Sequence, residues 1–291
     1  MTIFCYRGLI MYKQKLCLGL NPNFGLDLFE QLEAFKSVGF DAFFSGFENR
    51  ENVLELADAA AQKGLIYQSV HAPFHKTRVL WRDGEEGEAA VKELTDCVNA
   101  VADAGVKIVV SHVFIGFDQP DKPNEIGLER LSRVVEKAEQ RGVKIAFENT
   151  EGEEFLSAVM ERFKHSANVG FCWDSGHEQC YNYGKDMIAL YGDRLLCTHL
   201  NDNLGVSDFG GHIFWTDDLH LLPFDGIIDW KEAAARLNRA GYDDILTFEL
   251  NRTSKPDRHD NDKYANMSPI MYLTEVYARA CRFAALKSAS K

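Results

Sequence analysis

The chain has 291 residues, a hydrophobic content of 46% and a formal net charge of −12, which allow one large domain with a sizeable core. The acidic balance opposes general attraction to DNA, RNA or an anionic membrane surface, with a local basic patch as the remaining alternative. The seven cysteines form no Cys-x-x-Cys pair and no run has the length of a membrane span, which together favour a cytoplasmic protein with free thiols.

Apolar runs alternate with amphipathic segments along the chain. Strands are predicted over residues 15–20, 41–47, 65–70, 106–111, 143–147, 169–173, 195–198 and 245–248. Helices are predicted over residues 26–38, 51–63, 88–104, 128–141, 153–163, 180–190, 230–240 and 268–286, and many of them stop at a glycine. Eight strand–helix units imply a parallel sheet that closes into a (β/α)8 TIM barrel, with a doubly wound open sheet as the alternative.

The domain organisation follows from the same pattern. We expect one barrel domain over residues 12–291 and an N-terminal extension over residues 1–11, since no linker or low-complexity segment divides the chain. In such a barrel the carboxyl ends of the strands meet at one face, where active sites lie. The long connections after strands 3, 4, 7 and 8 fall on that face.

Six of the predicted strands end in a residue that can bind a metal or transfer a proton. They are His71, His112, Glu148, Asp174, His199 and Glu249. The last four follow neighbouring strands, and carboxylates crowded together need a cation. An oxygen-rich set with one nitrogen predicts one divalent metal ion, either Mn²⁺, Mg²⁺ or Co²⁺, with Zn²⁺ tolerated.

Other polar residues extend this site. Asp174-Ser-Gly-His177 places an oxygen and a nitrogen on one short turn, which suits a metal, although Asp is also a common capping residue. His71, His112 and His177 are predicted to bind substrate, with a second metal as the alternative for the first two. Asp218-Leu-His220 is a possible additional metal site. Aromatic side chains that could wall the cleft, with core packing as an equal alternative, are Phe74, Trp81, Phe114, Trp173, Phe214 and Trp215.

These segments resemble the xylose isomerase-like TIM barrel superfamily over nearly the whole chain. The resemblance is carried by Ser-Val-His71-Ala-Pro-Phe, Phe-Glu148-Asn, Asp174-Ser-Gly-His177, His199-Leu-Asn-Asp202, Asp218-Leu-His220 and Gly226-Ile-Ile-Asp-Trp230. The superfamily includes sugar phosphate isomerases and epimerases, ketose 3-epimerases, inosose dehydratase and endonuclease IV.

The resemblance implies a metal-dependent isomerase or epimerase of carbohydrate metabolism, acting on a sugar or related polyol ketone. Glu148, Asp174, His199 and Glu249 match the single-metal set of the epimerases, and Glu148 and Glu249 would also pass a proton through an enediolate. His177 would contact the substrate. Residues 201–208 lack the arginine that ketose 3-epimerases usually carry there, which disfavours a ketohexose.

Two other activities fit the same residues. A lyase similar to inosose dehydratase would share the first step and then eliminate water. An enzyme similar to endonuclease IV would use three zinc ions to cleave abasic DNA, and its nine ligands have counterparts at His71, His112, Glu148, Asp174, His177, His199, Asp218, His220 and Glu249. The chain has no evident basic track for phosphates, which favours the sugar activity. A homo-oligomer is compatible with such a barrel.

Overall fold

Eight parallel strands form the centre of the molecule. The computed structural model describes residues 14–117 and 119–290, so the predicted extension at residues 1–11 lies outside the described residues. The strands are β1 (Leu16–Gly19), β2 (Ala42–Gly46), β3 (Ile66–His71), β4 (Ile108–Ser111), β5 (Lys144–Glu148), β6 (Val169–Asp174), β7 (Leu195–His199) and β8 (Leu246–Phe248).

The sheet is wound almost into a closed barrel. Its order is β7-β6-β5-β4-β3-β2-β1-β8, and all paired strands are parallel. A parallel bridge between Leu200 and Phe248 joins the two edge strands just beyond β7. The predicted TIM barrel is therefore confirmed, and the open-sheet alternative is excluded.

Helices surround the barrel. They are α1 (Leu28–Val38), α2 (Arg50–Lys63), α3 (Glu85–Asp103), α4 (Glu125–Arg141), α5 (Glu153–Arg162), α6 (Ser175–Cys180), α7 (Met187–Tyr191), α8 (Trp230–Arg239) and α9 (Pro269–Ala289). Gly39, Gly64 and Gly142 end α1, α2 and α4 in the left-handed region, with φ of 119°, 63° and 66°. Glycine adopts this conformation without a steric penalty, so the glycine signals in the sequence mark true helix ends.

The prediction of one helix over residues 180–190 is wrong. The structure has two short helices, α6 and α7, with residues 181–186 between them. Tyr183 and Gly184 take left-handed φ values of 54° and 72°, which interrupts a right-handed helix. The Asp186 side chain then starts α7 by accepting a hydrogen bond from the Ala189 N–H at 2.9 Å. Helix α6 begins directly after β6, so His177 lies in the first turn of α6.

The main core lies between the sheet and the helices, where residues such as Phe35, Val98 and Phe171 are buried. Small side chains, including Ala146 and Cys172, pack together inside the barrel. The six described cysteines are free thiols. Within residues 14–117 and 119–290, no helix combines the length and apolar character needed to span a membrane.

The loop after β7 is organised by Asp202, a buried carboxylate. It accepts hydrogen bonds from Phe224 N at 2.9 Å, Ile228 N at 3.1 Å and Trp230 Nε1 at 2.8 Å. These bonds tie residues 200–229 back to the start of α8, so one wall of the barrel mouth has a defined conformation.

Candidate active site and metal centre

The structure brings Glu148, Asp174, His199 and Glu249 together at the carboxyl ends of β5 to β8. One ligand atom of each lies within 4.8 Å of those of the others, and we call these four residues the central cluster. His199 Nδ1 is 2.9 Å from Glu148 Oε1 and 3.0 Å from Glu249 Oε2. The first three residues are buried, whereas the Glu249 side chain is 28% exposed. Glu249 is therefore the member of the cluster that is open to a ligand.

The pKa shifts in the central cluster reflect charges packed together away from water. Burial, reinforced by the charge on Glu148, raises the pKa of Asp174 to about 7. Burial alone would raise the pKa of Glu148 and Glu249. The positive charge on His199 outweighs burial and lowers the pKa of both carboxyl groups, and the pKa of Glu249 falls to about 2. Burial acts against the charge on His199 too, and the two glutamates still raise its pKa well above the usual value. These carboxylates thus require a positive charge between them.

A divalent cation fits the central cluster. Three carboxylates and one imidazole are an oxygen-rich set that suits Mn²⁺, Mg²⁺ or Co²⁺ and accepts Zn²⁺. Glu148 Oε1 and Glu249 Oε2 both approach His199 Nδ1, at 2.9 and 3.0 Å. A cation in place of the proton on that nitrogen would balance the charge of the carboxylates.

His71 and His112 form a second group around the other oxygen of Glu148, which we call the histidine pair. Their Nε2 atoms are 3.1 Å apart and lie 3.3 and 3.2 Å from Glu148 Oε2. His71 Nδ1 donates to the Ala72 carbonyl oxygen at 2.8 Å, so Nε2 is the ring nitrogen that faces Glu148 and His112. Burial lowers the pKa of His112 to about 4, which keeps this ring neutral near pH 7. The pair and Glu148 together provide a second group of metal-ligating atoms.

His177, Asp218 and His220 form a third group, the outer triad. His177 Nε2 is 3.5 Å from Asp218 Oδ1, and His220 Nε2 is 2.9 Å from Asp218 Oδ2. His177 Nδ1 donates to the Asn149 carbonyl oxygen at 3.0 Å, and His220 Nδ1 donates to the Glu249 carbonyl oxygen at 3.1 Å. Burial opposes protonation, but nearby carboxylates raise the pKa of His177 to about 10 and that of His220 to about 9. Carbonyl-oriented imidazoles of this kind are typical of metal ligands.

The Asp174–His177 turn starts a helix. Asp174 Oδ1 accepts a hydrogen bond from His177 N at 2.6 Å, which caps α6. The His177 ring turns toward Asp218, and its Nδ1 is 3.9 Å from Asp174 Oδ1. The two polar side chains therefore face different groups in the structure, and one metal ion bound by this turn stays a prediction.

Two asparagines to which the sequence analysis assigned no role hold the ligands in place. Asn149 Oδ1 accepts a hydrogen bond from Asp174 N at 2.8 Å, and its Nδ2 donates to Asp174 O at 2.9 Å. Asn201 Nδ2 donates to Asp174 Oδ2 at 2.8 Å. Each asparagine follows a ligand by one or two residues, in Glu148-Asn149 and His199-Leu-Asn201. Such an amide next to a strand-end ligand was the available sequence signal for a supporting role.

A cavity of about 520 Å³ opens onto these groups, a volume typical of small-molecule sites. Aromatic residues line it together with polar residues of the site: Phe74, Phe117, Tyr181, Trp215, His112, His177, His220, Asp218, Glu249 and Lys255. Of the six predicted aromatic wall residues, Phe74 and Trp215 are in this lining. Trp81, Phe114 and Trp173 are buried in the core instead, where Trp81 Nε1 donates to Val113 O at 2.8 Å.

Curated relatives match part of the chain. Uncharacterized protein y4fM of Sinorhizobium fredii is 31% identical over 174 residues, which are 56% of this chain and 53% of y4fM. Uncharacterized protein MJ1311 of Methanocaldococcus jannaschii is 26% identical over 196 residues, 62% of this chain and 63% of MJ1311. The chain therefore spans between half and two thirds of the length of these relatives.

Solved structures share the fold over almost the whole chain. A structure of the IOLI protein with a binding zinc atom has a TM-score of 0.73 at 19% identity, covering 94% of this chain and 98% of that one. A structure of L-ribulose 3-epimerase has a TM-score of 0.68 at 16% identity, covering 95% of each chain. D-Psicose 3-epimerase with D-tagatose, from Clostridium cellulolyticum H10, has a TM-score of 0.67 at 16% identity, covering 95% and 99%.

These identities are low, so the structural similarities establish the fold alone. The sequence of residues 32–267, in contrast, matches the family described as xylose isomerase-like TIM barrel. That match includes all nine residues of the three groups and every strand except β1. This protein belongs to the xylose isomerase-like TIM barrel family.

Proposed function

We propose that this protein is a divalent-metal-dependent isomerase or epimerase of a sugar or related polyol ketone. The observation that carries the proposal is the central cluster, in which Glu249 lines the cavity while the other three residues lie buried around it. The epimerases among the structural neighbours support a sugar substrate, and the zinc atom in the IOLI structure supports a metal.

Glu249 and Glu148 are the proposed acid–base pair. A positive charge beside Glu249, on His199 or on a cation in place of its proton, keeps the pKa of Glu249 low. The carboxylate is then ionised near pH 7 and can take the proton next to the carbonyl. Glu148 would return a proton in its protonated form, which leaves Glu148 ionised and Glu249 protonated until both exchange with solvent. A bound cation would supply Lewis-acid chemistry that stabilises the negative charge developing on the substrate oxygen. Proton transfer by a positioned carboxylate contributes roughly 10²- to 10⁴-fold in rate.

Proton exchange tests this proposal without knowledge of the product. The metal-loaded protein is incubated in D₂O with a panel of ketoses and polyol ketones, and deuterium incorporation next to the carbonyl is followed by NMR. We expect exchange with at least one compound, and loss of at least roughly 10²-fold of the rate in Glu249→Gln and Glu148→Gln. Glu154→Gln is the matched control, because Glu154 is an exposed residue of α5. Exchange that persists in both cluster variants would refute the acid–base assignment.

A lyase similar to inosose dehydratase remains the closest variant of this proposal. It would show the same exchange, since the first step is shared, followed by loss of water from a polyol ketone. Mass spectrometry of the exchange mixtures separates the two outcomes, because a lyase product is lighter by one water molecule and an isomer is not.

The second candidate is a trinuclear zinc phosphodiesterase similar to endonuclease IV. The observation that favours it is the division of nine residues into the central cluster, the histidine pair with Glu148, and the outer triad, each of which can hold a cation. Cleavage of an abasic-site duplex by the zinc-loaded protein, without proton exchange on any ketone, would establish this activity and refute the sugar proposal. The net charge of −12 argues against it.

A further inference from the structure

Lys255 lies in the segment that follows β8. Its side chain lines the cavity and is 17% exposed. Its Nζ lies over the ring of Trp215, 5.3 Å from the centroid, and Trp215 itself is 50% exposed. A lysine that is mostly buried beside a half-exposed tryptophan is unlike an ordinary surface lysine, which keeps its ammonium group in water.

The N–H groups of the Lys255 ammonium form no hydrogen bond with the described residues. Among the described residues, the one carboxylate oxygen within 4 Å is Asp218 Oδ2 at 3.8 Å, too far for a hydrogen bond. That oxygen already pairs with His220 Nε2 at 2.9 Å. No other described residue accepts a hydrogen bond from Nζ, so the three N–H groups of a partly desolvated cation are available to a ligand.

The segment around Lys255 is held firmly. Arg258 Nη1 donates to Asp217 Oδ1 at 3.0 Å, which joins this segment to the loop that carries Trp215. The Asn261 amide donates to the Asn251 carbonyl oxygen at 3.0 Å, and Ser254 Oγ donates to Asp262 Oδ1 at 2.7 Å. Lys255 is therefore positioned by both loops at the mouth of the barrel, which lowers the entropic cost of using it to bind a ligand.

The positive charge of Lys255 in the cavity lining favours a ligand with a negatively charged group. In the part of the chain that the structure describes, Lys255 is the one Lys or Arg in the cavity lining. A neutral sugar does not need a desolvated cation with free donors, whereas a carboxylate or phosphate oxygen matches it. We propose that the substrate carries an acidic group, a carboxylate or a phosphate, which binds Lys255 while Trp215 packs against the adjacent carbon chain. This inference rests on the proposed function and specifies its substrate class.

Trp215 provides a direct readout of binding. Of the four tryptophans, Trp81, Trp173 and Trp230 are buried, so a ligand in the cavity should change the fluorescence of Trp215 alone. The probes are D-fructose, D-fructuronate and D-fructose 6-phosphate, which share a carbon chain and differ at the terminal group. They are titrated into the metal-loaded wild type and into Lys255→Met, Lys255→Arg and Lys263→Met. Lys263 is the matched control, because it lies in the same segment but pairs with Asp225 at 2.9 Å.

We expect at least one acidic probe to bind the wild type roughly 10- to 100-fold more tightly than D-fructose, as a charge-assisted hydrogen bond implies. Lys255→Met should abolish this preference, Lys255→Arg should keep part of it, and Lys263→Met should leave it unchanged. The two acidic probes show which anion is bound. Equal binding of all three probes, a preference that survives Lys255→Met, or no binding of any probe overturns the inference.

The proton-exchange assay separates this inference from the proposed function. Exchange on neutral ketones, with no preference for an acidic probe, refutes the role of Lys255 and leaves the isomerase proposal intact. A Lys255-dependent preference for an acidic probe, with no exchange on any ketone, supports the binding site and refutes the isomerase proposal.

Discussion

Replacing Asn201 with alanine should weaken metal binding while leaving the protein folded. The Asn201 amide donates to Asp174 Oδ2 at 2.8 Å, and both side chains are fully buried. Burial has already raised the pKa of Asp174 to about 7, and removal of a hydrogen bond to the charged form raises it further. More of the carboxyl group is then protonated near pH 7, so a metal ion must displace that proton in order to bind.

The magnitude follows from two independent considerations. Loss of a residue that orients a metal ligand typically weakens metal affinity roughly 10- to 100-fold, which is about 1.4–2.7 kcal/mol. A hydrogen bond to a charged group contributes about 1.5–3 kcal/mol, in the same range. The substitution also removes a buried polar side chain, so the free energy of unfolding should fall by about 1–3 kcal/mol.

The assay is a competition titration of the chelator-treated protein against a chromophoric chelator, with urea denaturation measured in parallel without metal. Asn203→Ala is the matched control, because Asn203 is also buried in the loop after β7 but its Nδ2 donates to the Asp217 carbonyl oxygen at 2.8 Å. Both variants should lose stability, and Asn201→Ala alone should lose metal affinity. Wild-type affinity in Asn201→Ala, or an equal loss in both variants, would refute the reasoning.

Three further outcomes are expected. Gly176→Ala should reproduce the metal-affinity loss of Asn201→Ala, since its Cβ would lie 1.8 Å from Asn201 Oδ1, and the double variant should show little further loss in the same titration. Metal affinity should rise about tenfold per pH unit between about pH 7 and about pH 8 and more steeply below about pH 7. The glutamates overcome burial and raise the pKa of His199, and burial raises the pKa of Asp174 to about 7, so below that pH both groups hold a proton. His199 therefore holds a proton that the metal must displace, and affinity independent of pH would contradict this. Glu178→Ala should lower the free energy of unfolding by about 3–5 kcal/mol in urea denaturation. It removes the two 2.7 Å hydrogen bonds to Arg236, which keeps, among the described residues, only the exposed Asp186 as a carboxylate partner, and it leaves the buried Trp173 Nε1 without its acceptor. A loss below about 1 kcal/mol would show that this pair contributes no more than a surface ion pair.

The sequence was sufficient to predict the barrel and the residues that gather at its face. Each relevant strand is an apolar run that ends in one polar residue, as in Val106–Ser111 before His112 or Val143–Phe147 before Glu148. In a parallel barrel the position of a strand end is determined by topology alone, so no side-chain information is needed to bring these residues together.

The division of these residues into three groups was not predictable in the same way. It depends on the direction that each side chain takes, and that direction is determined by hydrogen bonds with distant parts of the chain. His177 was paired with Asp174 in the sequence interpretation because they are three residues apart, but its ring is oriented by the Asn149 carbonyl oxygen, 28 positions away. Lys255 carried no local signal at all, since its place over Trp215 depends on the conformations of two long loops.

The shared Glu148 determines how metal stoichiometry should be interpreted. Its Oε1 faces His199 in the central cluster, and its Oε2 faces His71 and His112 of the histidine pair. Two cations on one carboxylate repel each other in a buried site, where charges are weakly screened, so the second ion binds more weakly than the first. The number of bound ions then varies with the free metal concentration, and a count at one concentration does not separate the two candidate functions. The dependence of activity on occupancy does separate them, because enediolate chemistry needs the central cluster alone, whereas trinuclear hydrolysis needs all three groups filled.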